Sequence, residues 1–157
     1  MALKTKFMQS ITPYQIDVPE RKDYPEIILV WEAAVRATHH FLKEDDIQVF
    51  KHLIQNKFLD KVELHCIRTE GMIAGFIGTS ADKIEMLFAD PVHHGKGIGK
   101  QLLLYAVDVL NKKQVDVNEQ NEQAISFYQH FGFVNINRSE RDGLGKPYPL
   151  LHMQLAQ

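Results

Sequence analysis

Cysteine is nearly missing from this chain of 157 residues: Cys66 is the only one. That excludes an intrachain disulfide and any metal site built on paired thiolates, and no metal is expected. No apolar run approaches the ~18–20 residues needed to span a bilayer. The opening MALKTKFMQSITPYQ lacks the continuous apolar segment of a signal peptide. There is no basic tract, and the formal net charge of −2 gives no general attraction to nucleic acid or anionic lipid. Internal repeats and low-complexity segments are absent too. What remains is a soluble cytoplasmic protein with no nucleic-acid or membrane partner. With 45% of its residues hydrophobic and 24% charged, residues 1–157 read as one domain with a core of ordinary size.

The pattern of what is present gives an α/β order. Tyr14 to Val18 reads as a short strand. Asp23-Tyr24-Pro25 resembles a helix entrance, with proline suited to the first turn, and EIILVWEAAVRATHHFL continues as a helix ending near Thr38. A second helix is expected over Asp46 to Asn56. Alternation then predicts a hairpin, Val62 to Arg68 and Met72 to Thr79, followed by a strand from Lys83 to Ala89. Apolar residues recur at helical spacing from Ile98. VDVNEQ is a short strand, and Asn121 to Phe131 is a helix closed by Gly132. Phe133 to Arg138 and Tyr148 to Gln154 are the last strands. The order β-α-α-β-β-β-α-β-α-β-β implies a mixed central sheet.

The stretch PVHHGKGIGKQLL raises the functional question. Gly95, Gly97 and Gly99 stand at a helix entrance, with Lys96 and Lys100 between and beside them. Glycine costs stability where a chain is ordered. A glycine-rich turn between strand and helix presents bare N–H groups and the positive end of the helix dipole to an anion. A tight, closely packed turn is the plainer reading. The P-loop pattern fails, since Gly95 and Gly99 are too close and Gln101 follows the lysine. The Rossmann fingerprint fails on its spacing and on its position after an antiparallel hairpin.

FADPVHHGKGIGKQLL resembles the acyl-CoA-binding motif of the GNAT superfamily of N-acetyltransferases, and VNEQNEQAISFYQHFGF is similar to the second signature of that family. The two blocks stand in the family's order. The C-terminal part from VNEQNEQA to GKPYPLL, and less strongly WEAAVRATHHFL, resembles the bacterial YjaB-type branch. One departure is His94, where the family has Arg or Gln; its charge near pH 7 is conditional, and somewhat weaker cofactor affinity is expected.

The resemblance implies a GNAT-type mixed central sheet with helices on both faces and a cofactor cleft between two splayed strands. It also implies acetyl transfer from acetyl-CoA to an amine, with CoA as product. Leu87, Phe88 and Ala89 would offer backbone groups to the pantetheine arm, as an added strand does. Gly95, Lys96, Gly97, Ile98, Gly99 and Lys100 would take the pyrophosphate, with His94 beside them. Asn121 would cap its helix or bond the cofactor. Tyr128 is expected as general acid, since a phenol's ordinary pKa of ~10 lies near a thiol's ~8.5; its helical spacing also suits a core role. Glu85 is a base on the family's strand or a solvent-facing residue, and period two puts it on the face of Leu87 and Ala89. Trp31, His39, Phe41 and Tyr148 are expected to wall the acceptor site or simply to pack. His40 is a weaker candidate there, Asp142 is a cation attractor or a turn residue, His93 a surface residue and Cys66 a core one. The acceptor is a small-molecule amine or a peptide or protein amine, and the protein a monomer or homodimer. Two other classes compete: a non-catalytic acyl-CoA-binding regulatory module, and a nucleotide-phosphate-binding α/β protein.

Overall fold

A computed structural model describes residues 14–157; the first thirteen, including the sequence before Tyr14, lie outside the described residues. Seven strands form one sheet. They are β1 (Ile16–Asp17), β2 (Glu63–Thr69), β3 (Met72–Ser80), β4 (Lys83–Ala89), β5 (Gln114–Asn118), β6 (Phe133–Ser139) and β7 (Leu150–Leu155), in the spatial order β1-β2-β3-β4-β5-β7-β6. Every neighbouring pair is antiparallel except β4 and β5. The helices are α1 (Tyr24–Thr38), α2 (Glu44–Leu53), α3 (Ile98–Asp108) and α4 (Glu122–His130).

Two apolar layers sandwich the sheet. On one face α1 buries Ile27, Trp31 and Val35, and α2 Ile47, in one layer with Cys66, Phe76 and Met86. On the other, α3 and α4 bury Ile98, Leu102, Leu103 and Tyr128 against Ile67, Ile77, Val117 and Phe133. Chain alternation supplies both layers from one strand: β3 is buried from Ile73 through Thr79 because each of its faces meets a helix layer. Gly75 permits α3 to approach, since a Cβ there would stand 2.5 Å from the Ile98 Cγ2.

Most expected elements form, with four corrections. The second helix starts at Glu44, where three acidic residues suit its positive end, and passes after Leu53 into a π-helical turn, Ile54–Phe58, and a 3-10 turn, Leu59–Lys61. The first strand is only two residues long. Tyr148 precedes β7 instead of opening it; its N–H bonds the Lys146 carbonyl in a tight turn, and Pro149 intervenes. The fourth concerns Glu85. Thr79 pairs with Ile84 and Gly78 with Met86, so Glu85 is the extra residue of a β-bulge. Ile84 therefore joins the α3 layer and Met86 the α1 layer, although they are two residues apart. The bulge breaks the period-two face assignment at Glu85 and re-aims everything after it.

Candidate active site

Strands β4 and β5 start together and then part. Their pairing consists of Lys83 with Gln114 and Ile84 with Val115. Beyond it, the side of β4 from Leu87 to Ala89 that faces β5 is open, and a cleft of about 490 Å³ fills the gap. Its walls include Leu87, Phe88, Ala89 and His94 on one side and Val117, Asn121, Phe127 and Tyr128 on the other. An ion-pair chain ties the closed end: Lys83 of β4 pairs with Asp116 of β5, and Asp116 with the His152 Nδ1 of β7 at 2.7 Å. The Ser139 oxygen lies 2.6 Å from the other nitrogen of His152. Four strands are thus linked just below the point of splay.

The glycine loop enters α3 beside this cleft. Gly95 and Gly97 have φ of +80° and +81°, and no atom would stand within 4 Å of a Cβ added to either. Their side-chain absence is required by the left-handed backbone as well as leaving open space above it. Gly99 differs: its φ is ordinary for a helix, and a Cβ would meet only the Phe127 ring at 3.8 Å. Ile98 is buried, so only its backbone can face a ligand. Tyr14 clamps the loop from outside, donating its hydroxyl to the Lys96 carbonyl at 2.9 Å and its N–H to the Gln101 side chain at 2.8 Å.

Asn121 caps α4, accepting the Ala124 N–H at 3.1 Å. Two turns later Tyr128 is buried between Phe127 and Phe133, with ring centroids 5.3 and 5.5 Å away. Burial pushes its pKa well above the ordinary phenol value, so the proton stays on the oxygen at neutral pH. The residue is a core residue and a cleft residue at once.

A second cavity of about 490 Å³ lies on the α1 and α2 side of β4. Trp31, Val35, Leu42, Phe50, Phe58 and Tyr148 make it largely apolar, and Glu85 and Asp142 add carboxylates. His39, Glu85, Met86, Phe88 and Asn118 border both cavities. Glu85 is exposed and accepts the Ser80 hydroxyl at 2.8 Å. Tyr148 donates its hydroxyl to Asp46, and Lys146 pairs with the other oxygen of Asp46 at 2.9 Å, which pins the loop over α2.

Trp31, His39 and Tyr148 are therefore brought together, while Phe41 stands behind them, its ring 5.4 Å from His39 and 6.1 Å from Tyr148. Asp142 combines its place on the wall with turn bonds to the N–H groups of Leu144 and Lys146. His40 is exposed. His93 is half-buried against the Thr69 hydroxyl, 3.4 Å away, and not a free surface residue. Cys66 is fully buried under α1, and burial pushes its thiol up to about 11. Tyr14, Gln101, Ser80 and the Lys83–Asp116 staple carry no local sequence signal for these roles. Only Ser80 lies within a hairpin's reach of its partner.

A mixed sheet that opens between two parallel strands, with a glycine-entered helix at the opening, defines a GNAT-type acyltransferase architecture. The chain matches the family model of an acetyltransferase (GNAT) domain over residues 33–155. It belongs to the GNAT family and is an acetyl-CoA-dependent N-acetyltransferase. It is 37% identical over 129 residues to the peptidyl-lysine N-acetyltransferase YjaB of Escherichia coli (strain K12), covering 82% of this chain and 87% of that protein. The solution structure of apo-form YjaB from Escherichia coli matches it with a TM-score of 0.84 at 34% identity, over 92% of this chain and 99% of the other. The PaiA N-acetyltransferase of Thermoplasma acidophilum, solved in complex with coenzyme A, shares the fold with a TM-score of 0.72 at 20% identity, covering 92% and 100% of the two chains.

Proposed function

We propose that the protein transfers the acetyl group of acetyl-CoA to a primary amine by direct attack in a ternary complex, with the β4–β5 cleft for the cofactor and the second cavity for the acceptor. The observation that carries this reading is the meeting of two cavities across one short stretch of β4, Glu85 to Phe88. The residues fit such a cofactor. The open side of β4 offers unpaired backbone groups to an amide-bearing arm. The left-handed glycines and first turn of α3 offer N–H groups to a pyrophosphate, with Lys96, Lys100 and His94 as additional donors.

The cofactor supplies an activated acyl group. The chain must hold a neutral amine against it, steady the developing oxyanion and protonate the leaving sulfur. A backbone N–H of the Leu87–Ala89 segment takes the oxyanion role. Tyr128 gives its proton to the sulfur. Its raised pKa keeps that proton in place but weakens it as an acid, which puts its contribution toward the lower end of the usual ~10²–10⁴-fold. Glu85, open to solvent, relays a proton from the arriving ammonium to water. Asn121 holds the head of α4, and with it Tyr128, against the cleft.

The apolar walls ending near Glu85 suit an amine on an aliphatic stem. The YjaB relative acts on peptidyl-lysine, and a peptide lysine side chain is the acceptor class proposed here. The test is thiol release from acetyl-CoA across a panel of lysine peptides, peptide N-termini and small amines, with heat protection by CoA, ATP and NAD in parallel. Protection by CoA alone and fastest release with lysine peptides are expected. CoA protection without thiol release for any amine would favour the non-catalytic binding module.

A further inference from the structure

His39 follows the last residue of α1, and its ring borders both cavities. It packs against Phe88 of β4, with centroids 6.3 Å apart. The hydrogen bonds around it fix its tautomer. The Thr38 hydroxyl donates to the Ala34 carbonyl at 2.8 Å, and the same oxygen lies 2.7 Å from His39 Nδ1. A hydroxyl has one hydrogen, so at the second contact it must accept: Nδ1–H donates to Thr38. Nε2 therefore carries a lone pair. Asn121 agrees with this. Its Oδ1 is committed to the Ala124 N–H, which leaves its Nδ2 as the atom 3.5 Å from Nε2. That distance is the long limit of a hydrogen bond, and so weak a contact leaves Nε2 able to accept from an incoming N–H.

We infer that His39 takes the proton that the acceptor nitrogen loses as it bonds to the acyl carbon. The inference rests on the direct-attack reading above. An ammonium arrives with three N–H bonds and ends as an amide with one, so two protons must leave. Glu85 relays the first to water. The neutral nitrogen then attacks, the C–N bond forms, and the C–S electron pair leaves with sulfur, which takes the proton of Tyr128. The nitrogen, made cationic by bonding to carbon, gives its second proton to His39 Nε2. The imidazolium passes that proton to water through the acceptor cavity, and water restores the phenol, so one proton is released per turnover.

The surroundings suit a transient carrier. Burial, with a smaller contribution from His40, holds the His39 pKa down at about 4, so the ring is neutral when the amine arrives and does not retain a proton afterwards. Glu85 shares both cavities with His39, with one of its two oxygens accepting the Ser80 hydroxyl, and Asp142 reaches only the acceptor cavity. Two bases for two protons is the arrangement these positions support.

The experiment is single-turnover acetyl transfer to a lysine peptide at saturating acetyl-CoA, with thermal melting to confirm folding. His39→Ala should be slowed ~10²-fold, with CoA affinity within about twofold of wild type, about 0.4 kcal/mol or less. Added imidazole should restore part of the rate above an enzyme-free control. His39→Gln accepts a hydrogen bond but no proton, and should stay as slow as His39→Ala. A wild-type rate in either variant, or no recovery with imidazole, would overturn the proposal. A stoichiometric burst of thiol with no amine present and the acetyl group left on the protein would instead mark an acyl-enzyme and remove direct attack itself, a separate failure from that of His39.

Discussion

The two cavities on either side of β4 have the same volume, about 490 Å³ each, and are built from different materials. The cleft toward β5 runs along a strand edge left open, and beside it stand a loop with two left-handed glycines and a helix N-terminus. The cavity toward α1 and α2 is defined by side chains drawn from Trp31 to Leu150. On the function proposed above, backbone would meet what every acyl-CoA has in common, its amides and its pyrophosphate, and side chains would meet what distinguishes one acceptor from another. A single bulge at Glu85 lets one strand serve both, since it packs Met86 into the α1 layer and Leu87 against the α3 layer.

The largest expected effect lies where the two meet in chemistry. Tyr128→Phe deletes one oxygen from a ring held by Phe127 and Phe133, so folding and CoA affinity should change little. Single-turnover acetyl transfer should fall ~10²-fold. A proportionate loss of CoA affinity measured by calorimetry would make Tyr128 a packing residue instead.

Next come paired substitutions that separate backbone from side-chain recognition. Gly99 tolerates a Cβ, whereas Gly95 and Gly97 would be strained by one whatever was bound, so Gly99→Val is the cleaner probe. It should weaken CoA binding by roughly tenfold, about 1.4 kcal/mol, and leave the KM for the amine unchanged. Leu42→Trp narrows the other cavity and should do the reverse, raising the amine KM by a similar factor with CoA affinity intact. Steady-state kinetics in both substrates checks the pair, and a shared effect from either variant would break the division.

A smaller effect concerns pH. His39 holds its pKa at about 4 when folded against 6.5 when free, and His65 is also lowered by burial. A folded-state pKa below the unfolded one means that the unfolded chain binds protons first as pH falls. The stability His39 contributes is therefore present above about 6.5 and is lost progressively toward about 4, and the contribution of His65 is lost in the same direction. Lowered carboxylates such as Glu44, held at about 2 by Arg36, lose their contribution over a lower range. The drop in melting temperature between pH 7 and 4.5 should be smaller in His39→Gln than in wild type.

The smallest expected effect is that of Tyr148→Phe. It removes the hydroxyl that donates to Asp46 and accepts from the Lys43 N–H, and should cost about 1 kcal/mol of stability with a few-fold rise in amine KM.

The same division explains what could be read from the sequence. The cofactor candidates Leu87 to Ala89 and His94 to Lys100 lie close together in the chain, and glycine spacing advertises a backbone conformation directly. Asn121 and Tyr128 belong to one helix, so period and cap placed them. The second cavity has no such local signature: Tyr148 reaches Asp46 across 102 positions. Phe41 belongs by composition to an aromatic wall, yet packs behind it, because which neighbour of His39 faces the cavity is settled by how α1 ends. The Glu85 bulge has no signal in KIEMLFA, whose alternation looks regular. It is forced by Ile84 and Met86 both seeking cover from different helix layers.

Amide hydrogen exchange with and without CoA tests the two-cavity account most directly. New protection is expected in Leu87 to Ala89 and in Gly95 to Lys100, with little change in α2 or in the loop before Tyr148. Protection concentrated in α2 and that loop, with the glycine stretch unchanged, would contradict it.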